Sequence, residues 1–331
     1  MMDMKIISAS RRTDIPAFYG DWFMNRIAEG SAGYTNPFNN KKYIVSLKKE
    51  DTAAIVLWSK NFSPFTGNAI VLRDRGYSLF FNYTITGLPK IFEPDTPREE
   101  DTIESMKLLS REFSPEHINW RYDPVLLSDI TGSDYHLNKF ETLCRSLSGY
   151  VKRCYISFPT PYGKVERSFK KFTSKTGIKI ISEDIKTRVN LALKLSEIGR
   201  RYGIRIFSCC GDYLTGDKIS KGSCIDGTIL SAISGKDLSH LKLRPTRKEC
   251  GCTDSTDVGI YDSCPHGCVY CYANSNTEKA SSFYRRYISD SGFKNSAFLG
   301  ESEEVSDLWI EEIKDNLNQS RNDDPVQHLL F

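Results

Sequence analysis

The stretch SLFFNYTITGLPKIFEPDTPREEDTIESMKLLSREFSPEHINWRYDP, residues 78–124, decides the fold class. Its opening SLFFNYTI (78–85) and its closing HINWRY (117–122) are short aromatic and β-branched runs, the composition of buried strands. Between them TPREEDTIESMKLLSREF (96–113) carries a helical pattern, with Thr96 placed to cap it and Pro97 in the first turn. A strand, a helix and a strand within 47 residues make one βαβ unit, which implies a parallel pair.

Working outward, the same alternation recurs. KIISAS (5–10), AAIVLWS (53–59), CYISF (154–158) and IRIFSCC (204–210) are further strand candidates. GDWFMNRIAE (20–29), SPFTGNAIVLRDRG (63–76), SDYHLNKFETLCRSLSG (133–149) and SEDIKTRVNLALKLSEIGRRYG (182–203) are helix candidates. Six units predict an α/β protein built as a partial (βα)6 TIM-like barrel over residues 1–215. A cysteine-rich segment at 216–300, with a short helix near 224–233, is expected to pack over the barrel mouth. A helix and polar tail follow at 301–331.

Each strand runs out into polar sequence at its carboxyl end: SRRTD (10–14), WSKN (58–61), NYTITG (82–87), RYDP (121–124), SFPTPYGK (157–164) and SCCGDY (208–213). Parallel α/β proteins place their sites at that end. Arg11, Asp14, Asn82, Thr84, Arg121, Asp123 and Ser157 are therefore the candidate ligand-binding residues, with Arg12 and Tyr162 on the same rim. A guanidinium fork suits a carboxylate or phosphate, and an aspartate beside it suits ribose hydroxyls. The alternative is an internal Arg–Asp pair that only closes the mouth.

The bulk numbers narrow the class. With 331 residues, 39% hydrophobic, 26% charged and a net charge of +3, the chain is long enough for a core without cross-links and carries no field that announces nucleic acid or membrane. The lysine pairs at 41–42, 48–49 and 170–171 read as solvated faces. MMDMKIISASRRTDIPAF has no apolar run of signal-peptide type, and no stretch approaches a membrane span, so a cytoplasmic protein is expected. There is no Ser-His-Asp arrangement and no GxxxxGK[ST] or GxGxxG loop.

Ten cysteines in a reducing compartment point to metal rather than disulfides. Five of them fall in KECGCTDSTDVGIYDSCPHGCVYCYANSN (248–276). Cys264, Cys268 and Cys271 are spaced C-x3-C-x2-C, and three thiolates on a tight loop can hold a [4Fe–4S] cluster with one iron open. Zinc competes, using Cys250, Cys252, Cys264 and Cys268, or His266 with three cysteines. Cys250 and Cys252, with Cys224 and either Cys210 or Cys209, could complete a second cluster or a zinc site; Cys210 sits further into its loop. Cys144 and Cys154 read as small core residues. Asp254, Asp257 and Asp262 read as turn and capping residues, and Tyr270 and Tyr272 as an aromatic wall.

CPHGCVYCYAN (264–274) resembles the radical SAM signature, and its CVYCYA core is similar to that of spore photoproduct lyase and its relatives. RRTDIP, WRYDP and CGCTDSTDVGIYDSCPHGCVYCYAN together resemble the uncharacterised domain-of-unknown-function family 1848 over nearly the whole chain. The first resemblance implies a [4Fe–4S] cluster on Cys264, Cys268 and Cys271, S-adenosyl-L-methionine on the open iron, and an external electron donor such as flavodoxin or ferredoxin. It also implies a partial βα barrel, and a small-molecule, nucleotide or nucleic acid substrate. Two features depart from that pattern: the cysteine loop follows all six strands instead of the first, and no GGE-type motif stands out. The alternatives are an iron–sulfur redox or sensing protein without SAM chemistry, and a zinc-stapled ligand-binding module.

Overall fold

The computed structural model describes residues 4–37 and 39–310. Among the described residues ten strands form, in chain order: β1 (Lys5–Ala9), β2 (Ser31–Thr35), β3 (Lys42–Ser46), β4 (Thr52–Ser59), β5 (Leu79–Thr84), β6 (Ile118–Tyr122), β7 (Arg153–Ile156), β8 (Arg205–Ser208), β9 (Ser220–Lys221) and β10 (Thr256–Asp257). Eight of them make one sheet in the order β10-β1-β4-β5-β6-β7-β8-β9, every pair parallel. β2 and β3 form a separate antiparallel hairpin.

The period of two along each strand sorts the side chains onto two faces. Ile7, Ala9, Ile55, Leu57, Phe81, Tyr83, Trp120, Tyr122 and Ile206 join the larger core, with apolar residues of helices 20–29, 66–74, 99–112, 133–147 and 185–201. Ile6, Ala54, Val56, Phe80 and Tyr155 point the other way, into a second core completed by Cys209, Cys224, Ile225, Leu230, Leu238, Cys250 and Cys252. Residues 209–252 thus complete one face of the sheet, and helices 20–29, 66–74, 99–112, 133–147 and 185–201 cover the other. Cys144 and Cys154 are fully buried in the larger core.

Several boundaries differ from expectation for local reasons. The helix expected from Thr96 begins at Glu99, because the Thr96 hydroxyl donates to the Glu93 carbonyl (2.9 Å) and does not cap. The helix expected at 182–203 spans Ile185–Arg201, capped by the Asp184 carboxylate on Thr187 N (2.7 Å). A second helix, Gly163–Thr176, precedes it. The short helix is Gly227–Ser234, capped by Asp226. Residues 303–310 are helical, and the rest of the helix and tail expected at 301–331 lies outside the described residues. No described helix is long and apolar enough to cross a membrane.

Candidate functional site

The late cysteine loop reaches the sheet through β10. Ile7 pairs with Thr256 and Ser8 with Asp257, so residues 258–274 leave the carboxyl end of the strand beside β1. Asp257 fixes this join. Its carboxylate accepts from Ser8 Oγ (2.9 Å), Ser10 Oγ (2.6 Å), Arg11 N (2.8 Å) and Arg12 Nε (3.1 Å). Burial would raise its pKa, but Arg12, Ser10 and Arg11 hold it below the usual aspartate value. Gly259 follows, packed so closely that a Cβ there would stand 2.0 Å from Ser10 Oγ.

The loop then docks on the ends of β1, β4 and β5. His266 is buried, with Nε2 2.8 Å from Asp14 Oδ2 and Nδ1 3.2 Å from the Asp95 carbonyl. Asp14 Oδ2 also accepts from Lys60 N (2.8 Å), and its Oδ1 caps the turn at Ala17 N (3.0 Å). Tyr19 Oη donates to the Ser263 carbonyl (2.5 Å), Val269 N to the Phe92 carbonyl (3.0 Å) and Asn274 Nδ2 to the Cys264 carbonyl (2.6 Å). Cys271 N bonds the Cys268 carbonyl (3.1 Å), turning the chain tightly between two of the thiols.

Cys264, Cys268 and Cys271 are half-buried, free thiols. Burial raises the pKa of all three. Near Cys268 lies an ion pair joined by two hydroxyl donors. Lys60 Nζ stands 2.9 Å from Glu93 Oε1, which also accepts from Thr86 Oγ1 (2.7 Å) and from the Tyr270 hydroxyl. Burial alone would depress Lys60, but Glu93 and then Cys268 raise it above its ordinary value, so the ammonium is kept. Lys60, Glu93 and Thr84 line a cleft of ≈ 350 Å³ with Lys90, Glu99 and Lys139.

The second group of cysteines sits beneath the other rim residues. Among the described residues, the thiols of Cys209, Cys224 and Cys252 lie within 4.8 Å of one another. Cys224 Sγ is 3.2 Å from Cys209 Sγ, which is 3.8 Å from Cys210 Sγ. Arg121 Nη1 donates to Cys224 Sγ (2.8 Å), while its Nη2 pairs with Asp123, and Ser157 Oγ donates to the same carboxylate. Thiol hydrogen bonds from Cys209 and Cys252, helped by Arg121, lower the Cys224 pKa. The Arg11 and Arg121 guanidiniums both lie over Trp58, at 5.7 and 5.2 Å from the ring centre. Asn82 Nδ2 donates to the Cys224 carbonyl (3.0 Å), and Tyr155 Oη to that of Ser223 (3.1 Å).

The structure therefore gathers the expected residues into two neighbourhoods. Asp14 accompanies Cys264, Cys268 and Cys271, and Thr84 lines the cleft with Lys60 and Glu93. Arg11, Asn82, Arg121, Asp123 and Ser157 accompany Cys209, Cys210, Cys224, Cys250 and Cys252. Asp257, expected as a turn residue, is a buried acceptor joining Ser8, Ser10, Arg11 and Arg12. Lys60 and Glu93 were not singled out by the sequence; Lys60 lies in the polar run-out WSKN, but Glu93 follows no pattern that marks it.

Fold and site define an α/β protein with a parallel sheet whose carboxyl end carries two sets of cysteines. The family described as a domain of unknown function, DUF1848, matches residues 6–273, and the chain belongs to it. No curated protein matches the chain. Among solved structures, a crystal structure of D-hydantoinase aligns with 64% of this chain and 42% of its own, at 8% identity and a TM-score of 0.30. That likeness is too slight to carry an argument.

Proposed function

We propose that this chain is a [4Fe–4S] enzyme of radical SAM type, with Cys264, Cys268 and Cys271 as the cluster ligands. The observation that carries the reading is the placement of these free thiols at the carboxyl ends of β1, β4 and β5, next to a polar cleft. In spatial order β10 is the first strand of the sheet, so the loop follows the strand that stands first in space though last in sequence. This permuted order supports reading β1 and β4–β8 as the six strands of a partial (βα)6 barrel.

The residues present fit the group. Three thiols on one loop leave an iron open, and none is tied in a disulfide. When bound, the cluster supplies one electron for reductive cleavage of the S-adenosylmethionine sulfonium, refilled by a donor of flavodoxin or ferredoxin type. The chain's own part is positional. Asp14 and His266 pin the loop to β1, and Tyr270, hydrogen-bonded to Glu93, walls its last turn. The Lys60 ammonium places a positive charge beside Cys268, and Lys60, Lys90, Arg98 and Lys139 outnumber the cleft's carboxylates Glu93, Glu99 and Glu100, which suits an anionic small molecule or nucleotide.

The test is anaerobic purification followed by reduction in the presence of S-adenosylmethionine. A brown, iron-containing protein that releases 5′-deoxyadenosine is the expected result, and Cys268→Ala should lose the iron. An iron protein that releases none would leave a redox or sensing role, and a colourless protein without iron would end both readings.

A further inference from the structure

We infer that Cys209, Cys224, Cys250 and Cys252 form a closed, structural zinc site that staples the chain between β8 and β10. The inference stands apart from the iron–sulfur reading, because it uses none of the same ligands.

The spacing selects the metal. Zinc holds thiolates at about 2.3 Å in a tetrahedron, which sets neighbouring sulfurs about 3.8 Å apart. The sulfurs of Cys209, Cys224 and Cys252 all fall within 4.8 Å of one another, at the scale of one ion. In a four-iron cluster each thiolate sits on its own iron, so the sulfurs stand further apart than a single ion's tetrahedral edge. Cys250 supplies the fourth thiol: it stands two residues from Cys252 and is buried with Cys209, Cys224 and Cys252 in the second core. Four soft sulfur donors and no oxygen or imidazole suit zinc.

Burial selects the role. Cys209, Cys224, Cys250 and Cys252 are 5%, 5%, 8% and 2% exposed, which leaves no open position for water or substrate. One zinc with four thiolates carries a net charge of −2, and two guanidiniums face it. Arg121 donates to Cys224 Sγ at 2.8 Å, and Arg11 lies near enough to Cys252, Cys224 and Cys250 to feel their charge. The surrounding backbone is tied as well, by Ser223 Oγ to the Gly251 carbonyl (2.7 Å) and by Thr253 N to the Ile225 carbonyl (3.0 Å).

The ligands come from three places: the end of β8, the segment after β9, and the residues just before β10. A zinc ion there ties the segment before β10 to the ends of β8 and β9.

Zinc and iron are measured by mass spectrometry on the full chain, purified anaerobically without chelator. About one zinc per chain is expected. Cys224→Ser and Cys252→Ser should each lower zinc at least about tenfold while iron is retained, and Cys268→Ala should lower iron and leave zinc unchanged. Zinc unaffected by either serine variant, iron lost in its place, or a Cys209–Cys224 disulfide in the fresh protein would overturn the proposal. Should the variants fail to fold, the wild-type chain loaded with Co(II) is read instead. Intense thiolate-to-cobalt charge-transfer and tetrahedral d–d bands support the site, and their absence overturns it.

Discussion

Ser10 Oγ lies 2.6 Å from Asp257 Oδ1, although 247 residues separate them in the chain. This contact joins the first strand's run-out to the strand that leads into the cysteine loop. It ties the two ends of the described sheet-forming sequence into one corner, with Arg11 and Arg12 closing around it.

Asp257→Ala should destabilise the chain by about 3 kcal/mol, since it leaves the buried Arg12 guanidinium without its carboxylate. Urea unfolding of both proteins measures it. The pH dependence follows from the depressed carboxyl pKa. The stabilisation is fully present above the ordinary aspartate value of about 3.9 and is lost as pH falls through the lower folded value. The variant's deficit should therefore be constant near neutrality and shrink only in acid.

Gly259→Ala should cost about 1–3 kcal/mol, because its new methyl would meet Ser10 Oγ at 2.0 Å and Ser10 Cβ at 2.5 Å. The clash pushes residues 258–264 off β1. A lower thermal midpoint together with reduced iron content is expected; an unchanged midpoint would show that the corner has room.

Glu93→Gln removes the charge that faces Lys60 while preserving shape. It leaves a buried ammonium beside Cys268, and a loss of about 3 kcal/mol is expected from breaking one side of a buried pair. Adding Lys60→Met to Glu93→Gln should recover part of that loss, which a double-mutant cycle in urea would detect.

His136, buried beside Tyr122, supplies a separate pH response. Its Nε2 donates to the Leu126 carbonyl (2.9 Å), so its Nδ1 accepts from Tyr122 Oη (2.7 Å), the neutral imidazole. Burial lowers its pKa to about 4. Between pH 6.5 and 4 the unfolded chain binds a proton that the folded chain does not, so stability falls as pH falls across that window. The loss is on the order of 3 kcal/mol, complete near pH 4. His136→Gln should flatten the stability curve between these values; a curve that keeps its slope would assign the response elsewhere.

Much of this was legible along the chain. The alternation that begins at SLFFNYTI and HINWRY placed the six long strands of the sheet in their order, because sequential strands of a parallel sheet lie side by side. The polar run-outs marked Arg11, Asp14, Asn82, Thr84, Arg121, Asp123 and Ser157, since strand ends in such sheets share one rim. β9 and β10 are two residues each and carry no periodicity, so no pattern announced them. The hairpin of β2 and β3, in SAGYTNPFNNKKYIVS (31–46), is half-exposed and breaks the alternation on which the reading relied.

By itself the sequence determined the α/β class, the spacing of Cys264, Cys268 and Cys271, and the isolation of Cys144 and Cys154 as core residues, because period, composition and short-range spacing are local properties. Only the tertiary structure decided which distant cysteines meet. Cys209, Cys224 and Cys252 converge because β8, β9 and β10 bring their segments against one face of the sheet, where Asn82 and Arg121 hold Cys224. Asp257 turned from a turn residue into the anchor of the cysteine loop for the same reason. Its partners lie near residue 10, and no local pattern encodes a contact made across the whole chain.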